Sequence, residues 1–310
     1  MTTRFISCDW GTSRLRLRLV ERISGRILAA RSTDEGIRQI AHLNPDPGVR
    51  RERLAATLEQ GIAALAPDLP HDLPVVMSGM ASANLGWQEL PYASLPADID
   101  GRTLHWIDLP HAGRRVRLIS GLRSGTDVMR GEETELVGLF SPPHRRGLSE
   151  DCTVILPGSH SKHVRLEAGR ILDFTTFLTG ELFGLLSRQS TLANPAEPEF
   201  DPESFLAGVQ ASRSLGLSAA LFQTRARVVL GSLPASHSRA FLSGTLIGAE
   251  LLTLCGAPQR PLVLAAGPDI ARKYALALRE LLPNSAFTEI APAELAAAVV
   301  AGHTVVLNRP

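Results

Sequence analysis

The chain alternates polar and apolar positions almost from its start. Arg4 to Asp9 carries Phe5, Ile6 and Cys8 toward a tight turn at Trp10-Gly11-Thr12-Ser13, and Arg14 to Val20 then alternates strictly as Arg14, Leu15, Arg16, Leu17, Arg18, Leu19. A period of two buries one row of side chains and solvates the other, so the second segment predicts an antiparallel hairpin partner of the first. A turn at Ser24-Gly25 leads to a third predicted strand, Arg26 to Arg31. Residues 49 to 66 place Leu54, Leu58, Ile62 and Leu65 on one stripe and predict an amphipathic helix. Apolar runs at Leu73 to Met77, Val116 to Ile119 and Leu262 to Ala265 end in Ser78-Gly79-Met80, Ser120-Gly121 and Ala266-Gly267-Pro268. The last run leads into a predicted helix from Ile270 to Leu282, and a final helix is predicted over Pro292 to Ala301. Strands that stop at small residues and pass into helices predict an α/β architecture with ligands at the strand ends.

The opening pattern occurs twice. Val154 to Ser161 is again a strand into a Gly-Ser turn, Lys162 to Glu167 alternates again, and Gly169-Arg170-Ile171-Leu172 matches Gly25-Arg26-Ile27-Leu28. Two three-stranded units about 145 residues apart predict a duplicated domain. Pro142-Pro143-His144-Arg145-Arg146-Gly147 breaks the pattern between them. The expected domains are therefore residues 1–145 and 146–310, with the last helix returning to the first.

Composition narrows the classes of function. At 310 residues the chain suits one large domain or two ordinary ones, and its net charge of +1 argues against nucleic-acid binding through a diffuse basic surface. Cys8, Cys152 and Cys255 form no CxxC pair, which predicts a reducing compartment. The first residues hold no signal-peptide core, and no apolar run reaches the roughly 18 residues of a membrane span, so a cytoplasmic protein without a membrane partner is expected. Of 32 basic residues only Lys162 and Lys273 are lysine, which makes the position of each worth locating.

Paired Gly-Thr/Ser hairpin turns can grip phosphates. Glycine lets the backbone approach closely, and the hydroxyls of Thr12, Ser13, Ser159 and Ser161 add donors. Asp9, just before the first turn, would repel phosphate unless a cation lay between, which makes it a candidate Mg²⁺ ligand; the alternative is a turn cap. No Walker A sequence, protein-kinase signature set or GxGxxG fingerprint is present.

The two turns and the strand–Ala-Ala-Gly–helix segment resemble the two phosphate motifs and the adenosine motif of the actin-like ATPase and sugar-kinase superfamily. Further segments narrow the resemblance: Ser78-Gly79-Met80 with Asn84 and Gly86-Trp87, Val128 to Glu135, Pro157-Gly158-Ser159-His160-Ser161-Lys162, Leu178-Thr179-Gly180-Glu181-Leu182, and Phe241-Leu242-Ser243-Gly244 with Ile247-Gly248-Ala249-Glu250. In that order they resemble the 2-dehydro-3-deoxygalactonokinases from about residue 4 to 300. Two departures are local: the lysine turn reads Ser-His-Ser-Lys-His, and residues 188 to 235 match poorly.

The resemblance implies two duplicated actin-like (ribonuclease H-like) α/β domains with mixed sheets flanked by helices and an interdomain cleft. It implies ATP- and Mg²⁺-dependent phosphorylation of the C6 hydroxyl of 2-keto-3-deoxygalactonate, a small-molecule sugar acid. Gly11, Thr12, Ser13, Gly158, Ser159, His160 and Gly267 would contact phosphate and nucleotide. Asn84, Arg130, Glu133, Gly180 and Glu181 would form the substrate side.

A carboxylate must take the alcohol proton, and the candidates are Asp9, Asp127, Glu132, Glu133, Asp173 and Glu181. Glu132 is assigned as base, although adjacent glutamates also suit the positive end of a helix. Arg130 is assigned as a fork for the substrate carboxylate, with a salt bridge to Glu133 or Glu135 as the alternative. His160 is a phosphate or substrate donor, or a satisfied structural group. Lys162 would neutralise charge on the transferring phosphate or hold the substrate carboxylate as a point charge. Lys273 reads as surface charge, perhaps near adenine, and Trp87 as packing. Oligomeric state stays open, a homodimer among the alternatives. The rival readings are a kinase for another sugar or sugar acid and an actin-like ATP-switched regulatory protein.

Overall fold

A computed structural model describes residues 3–66, 68–142, 147–256 and 260–309. Pro143 to Arg146, the centre of the expected boundary, lie outside the described residues. The chain divides into two units: Met1–Glu150 with Leu166–Asp173 and Ala293–Pro310, and Asp151–Arg165 with Phe174–Pro292.

The first unit begins with β1 (Arg4–Trp10), β2 (Leu15–Glu21) and β3 (Ile27–Thr33), then α1 (Ile37–Leu43), α2 (Pro47–Ala63) and β4 (Val75–Gly79). Short strands β5 (Ala93–Ser94) and β6 (Ala97–Asp98) precede the hairpin β7 (Trp106–His111) and β8 (Arg114–Ile119), and β9 (Leu122–Arg123) and β10 (Val128–Met129) lead to α3 (Glu132–Leu139). The main sheet runs β3-β2-β1-β4-β8-β7. β2 is antiparallel to β1 and β3, while β1, β4 and β8 are parallel neighbours.

Leu15, Leu17 and Leu19 of β2 join Leu54, Leu58 and Ile62 of α2 in the core, as the two periodicities predict. Helix α2 starts slightly earlier than the apolar stripe suggests, because Asp46 caps it by accepting from the Gly48 and Val49 N–H groups and Pro47 opens its first turn. The arginine face of β2 differs from expectation. Arg18 is largely desolvated and feels the charges of Asp9 and Glu135, so this position meets carboxylates while Arg14 stays in solvent.

The second unit is built from β11 (Cys152–Leu156), β12 (Ser161–Glu167), β13 (Arg170–Phe177), α4 (Thr179–Gln189), α5 (Pro202–Leu215), α6 (Leu217–Val229), α7 (Ser238–Leu251), β14 (Leu262–Leu264), α8 (Pro268–Leu281) and β15 (Phe287–Glu289). Its strand order, β13-β12-β11-β14-β15, repeats the β3-β2-β1-β4-β8 order of the first unit. The duplication seen in the sequence is thus a duplication of topology, and the order is that of ribonuclease H-like, actin-like domains. Residues 166–173 group with the first unit, where Arg170 and Ile171 pair with β6.

Helix α9 (Pro292–Leu307) runs six residues past its predicted end. Polar His303 and Thr304 interrupt the apolar run, but His303 is buried and hydrogen-bonds Ser7 Oγ at 2.8 Å and Ser78 Oγ at 2.9 Å, fastening α9 to β1 and β4. Burial holds the His303 imidazole down at about 3, so it sits neutral between the two hydroxyls. No helix of the described residues is long and apolar enough to cross a membrane.

Candidate active site

In the first unit three segments converge at one end of the sheet. Asp9 and Trp10 of β1 pair with Ser78 and Gly79 of β4, and Gly131 precedes α3. Gly79 and Gly131 have φ of +89° and +110°. A Cβ on Gly131 would stand 3.3 Å from the Gly79 Cα, and one on Gly79 would stand 2.7 Å from the Trp10 carbonyl oxygen. Only glycine permits this approach at these angles.

Carboxylates gather there. Asp9, with its side chain mostly buried, accepts from Arg16 Nη1 at 2.8 Å. Glu132 Oε2 accepts the Arg130 backbone N–H at 3.0 Å. Fully buried Glu133 accepts from the Gly131 N–H at 2.6 Å and the Thr134 hydroxyl at 2.9 Å. Burial, then the Glu132 charge, pushes Glu133 up to about 7, and burial, then Asp9 and Glu132, pushes Glu135 up to about 8. These mutual shifts place Asp9, Glu132, Glu133 and Glu135 in one electrostatic neighbourhood, with Arg16 and Arg18 lowering Glu135 in opposition.

Arg130 makes no salt bridge to Glu133 or Glu135 among the described ion pairs. Its Nη1 donates to the Ser82 carbonyl at 2.6 Å and the Ser82 hydroxyl at 2.7 Å, and its guanidinium lies 4.1 Å from the Tyr92 ring centroid. Its Nε–H is buried and has no hydrogen-bond partner. A guanidinium locked on one edge and stacked on one face is preorganised for a planar anion. Asn84 is exposed in the loop after β4. Trp87 packs edge-on against His111.

The Gly11-Thr12-Ser13 turn is closed by the Gly11 N–H donating to the Arg14 carbonyl at 2.9 Å. The Gly11 and Thr12 carbonyls accept from the Ile37 and Arg38 N–H groups at 3.1 and 3.2 Å, which fixes the turn against the start of α1. Ser13 remains exposed.

The second unit holds a cavity of about 270 Å³ lined by Pro157, Gly158, Ser159, Thr179, Gly180, Phe183, Ser243, Leu246, Ile247, Ile270, Lys273 and Tyr274. Gly180 is required there: a Cβ would collide with the Gly158 carbonyl oxygen and lie 2.9 Å from the Ser159 Cα. The Glu181 N–H donates to the Ser159 carbonyl at 3.0 Å, so the first turn of α4 is tied to the phosphate-type turn. The first turns of both α4 and α8 line the cavity, and helix N-termini favour anions.

His160 Nε2 and the Glu181 carboxylate lie 2.7 Å apart, joining two predicted site residues that the sequence left separate. Lys162 is 3% exposed on β12 rather than displayed on the turn, and its Nζ donates to the His160 carbonyl at 2.9 Å. Gly267 caps α8 and has open space where a Cβ would stand.

Residues 9–302 match the family model described as 2-keto-3-deoxy-galactonokinase. The chain belongs to this family. It is 34% identical over 292 residues to the 2-dehydro-3-deoxygalactonokinase of Escherichia coli (strain K12), covering 91% of each chain. It is 36% identical over 269 residues to a Rhizobium meliloti (strain 1021) protein named probable 2-dehydro-3-deoxygalactonokinase DgoK1, covering 81% of each. A crystal structure of a candidate 2-dehydro-3-deoxygalactonokinase from Sinorhizobium meliloti superposes with a TM-score of 0.78 at 30% identity, over 99% of this chain and 100% of that one.

The cavity also has walls that the sequence did not assign to the site. Lys273, read as surface charge perhaps near adenine, lines the cavity half-buried, and burial lowers its ammonium below the usual range. Ile270 and Tyr274 flank it one helical turn apart. The signal was available: positions 270, 273 and 274 share one face of the helix that follows Ala266-Gly267. Thr179 and Ser243 also line the cavity, and both lay in segments that carried the family resemblance.

Proposed function

We propose that this chain transfers the γ-phosphoryl group of ATP to the C6 hydroxyl of 2-dehydro-3-deoxy-D-galactonate, giving the 6-phosphate in galactonate catabolism. The observation that carries the reading is the near full-length correspondence to the E. coli kinase at 34% identity. In this reading residues 1–145 carry the first phosphate motif and the sugar-acid site, and residues 146–310 carry the second phosphate and adenosine motifs.

ATP supplies the phosphoryl group, and Mg²⁺ neutralises the oxygens around it. Asp9 suits the metal. Mg²⁺ keeps several waters and takes only one or two carboxylates, so a single aspartate at the strand end is enough to hold it. The second-unit cavity suits the nucleotide: its walls are largely apolar, two helix N-termini open onto it, and the turn at Gly158 and Ser159 forms one side. Gly11 keeps the first turn closed and lets the chain approach the phosphate, and Thr12, Ser13, His160 and Gly267 add backbone and side-chain donors for phosphate and nucleotide.

Arg130, held by Ser82 and Tyr92, grips the acceptor carboxylate. Asn84 and Glu133 complete the substrate side, whereas Gly180, expected there from the sequence, lines the nucleotide cavity and Glu181 is tied to its phosphate turn. Glu132 takes the proton of the C6 hydroxyl as it attacks, and Lys162, at the end of the phosphate turn, neutralises charge on the transferring phosphate. The enzyme would act in the cytoplasm, where its three free cysteines stay reduced.

Product analysis tests this assignment. Phosphorus NMR of the product should show coupling to the two C6 protons, and the galactonate epimer should outperform the gluconate epimer in kcat/KM. Phosphate on another oxygen, or preference for an unrelated sugar, would assign a different carbohydrate kinase.

A further inference from the structure

Glu250 lies in α7 with its side chain 1% exposed, and donors from three other elements meet it. His163 Nε2 of β12 stands 3.0 Å from Oε1. The Tyr274 hydroxyl of α8 donates to Oε2 at 2.8 Å, and the Thr179 hydroxyl at the start of α4 donates to the same oxygen. Burying a carboxylate is unfavourable unless it is hydrogen-bonded, and here three donors meet it.

The tyrosine gives the network a direction. Tyr274 has one proton, and burial together with the Glu250 charge raises its pKa, so that proton stays and points at Glu250. Ser161 Oγ, 2.8 Å from the Tyr274 oxygen, must then donate to it. Ser161 Oγ in turn accepts the Gly158 N–H at 3.3 Å. The chain therefore runs from the Gly158 N–H through Ser161 and Tyr274 to Glu250. Its outer end is the turn that lines the cavity, and Tyr274 and Thr179 are themselves cavity walls.

We propose that Glu250 is a positioning residue for the nucleotide: one buried carboxylate sets the phosphate turn, the first turn of α4 and the α8 wall in register. This rests on the nucleotide assignment of the cavity made above. Glu250 reaches the cavity only through other side chains, and its effect should fall on ATP rather than on the sugar acid.

The test is ATP affinity by calorimetry without acceptor, together with separate KM values for ATP and acceptor. The variants are Glu250→Gln, Ser161→Ala and their double. Ser161 is fully buried and lies outside the cavity lining, so its loss acts only through the relay. Hydrogen bonds to a charged group carry enough energy that Glu250→Gln should weaken ATP binding about tenfold, with acceptor KM within about twofold. Ser161→Ala should weaken ATP binding severalfold, and the double variant should be no worse than Glu250→Gln alone, because the two residues act in one chain. Glu250→Ala, if it folds, should be worse than Glu250→Gln. Unchanged ATP affinity in both single variants, additive losses, or parallel rises in both KM values would overturn the proposal. A wild-type protein that binds ATP but phosphorylates no sugar acid would refute the kinase assignment and leave this test intact.

Discussion

Arg16 on β2 reaches the Asp9 carboxylate on the neighbouring strand β1, Nη1 to Oδ2 at 2.8 Å. The pair sits where β1 ends, beside the first phosphate-type turn, so a cation at Asp9 would have to share the carboxylate with a guanidinium. Asp9→Asn should lower kcat by about 100-fold or more, the scale of a lost electrostatic contact in phosphoryl transfer. Arg16→Gln removes a competing positive charge and should lower the Mg²⁺ concentration for half-maximal rate by about threefold. Mg²⁺ titrations of both variants check this. A Mg²⁺ requirement unchanged in Arg16→Gln, with near-normal turnover in Asp9→Asn, would remove Asp9 from the metal site.

Arg130 is held by Ser82 on one edge and Tyr92 on one face. Arg130→Lys keeps the charge and loses both the planar fork and the stacking. Acceptor KM should rise about tenfold or more, with ATP KM unchanged. Equal effects on the two KM values would return Arg130 to a structural role.

Lys162 is buried against the His160 carbonyl. In a chain that uses arginine at 30 of its 32 basic positions, Lys162→Arg would look conservative. The larger guanidinium has to enter a site that is 3% exposed and disturb the turn it supports. kcat/KM should fall by about tenfold or more. Kinetics close to wild type would show that any cation serves there.

Glu133 gives a pH prediction for stability. Its folded pKa of about 7 lies above the usual carboxylate value, so between about pH 4.5 and 7 the folded state binds more protons than the unfolded one. Stability from this group is fully present below that window and is lost as pH rises through it, at up to about 1.4 kcal/mol per pH unit. Glu133→Gln stays neutral throughout. Its stability relative to wild type should therefore improve from pH 5 to 8 in denaturant unfolding series, and a constant difference across that range would contradict the protonated, buried state. His303 acts in the opposite sense: its folded pKa of about 3 makes stability fall as pH drops from about 6.5 toward 3.

Local periodicity made much of this fold legible. The leucines of β2 and the stripe of α2 both reached the core, and the repeat of Gly25-Arg26-Ile27-Leu28 at Gly169 foretold a repeated strand order. What the pattern could not supply was the partner of each polar row. Arg14, Arg16 and Arg18 alternate like a solvated face, yet Glu135, more than a hundred residues away, lies near Arg18. Lys162 is buried at the turn and Lys273 lines a cavity, and neither environment is written in the local pattern. Glu250 stood in a recognisable segment, but its three donors come from residues 163, 179 and 274 and meet only in the folded unit.

ATP turnover with and without 2-keto-3-deoxygalactonate, followed by ADP release, tests the kinase assignment most directly. The expected result is slow hydrolysis of ATP alone, strong stimulation by the acceptor, and no stimulation by an analogue lacking the C6 hydroxyl. Absence of stimulation at millimolar acceptor, with ATP binding intact, would contradict it.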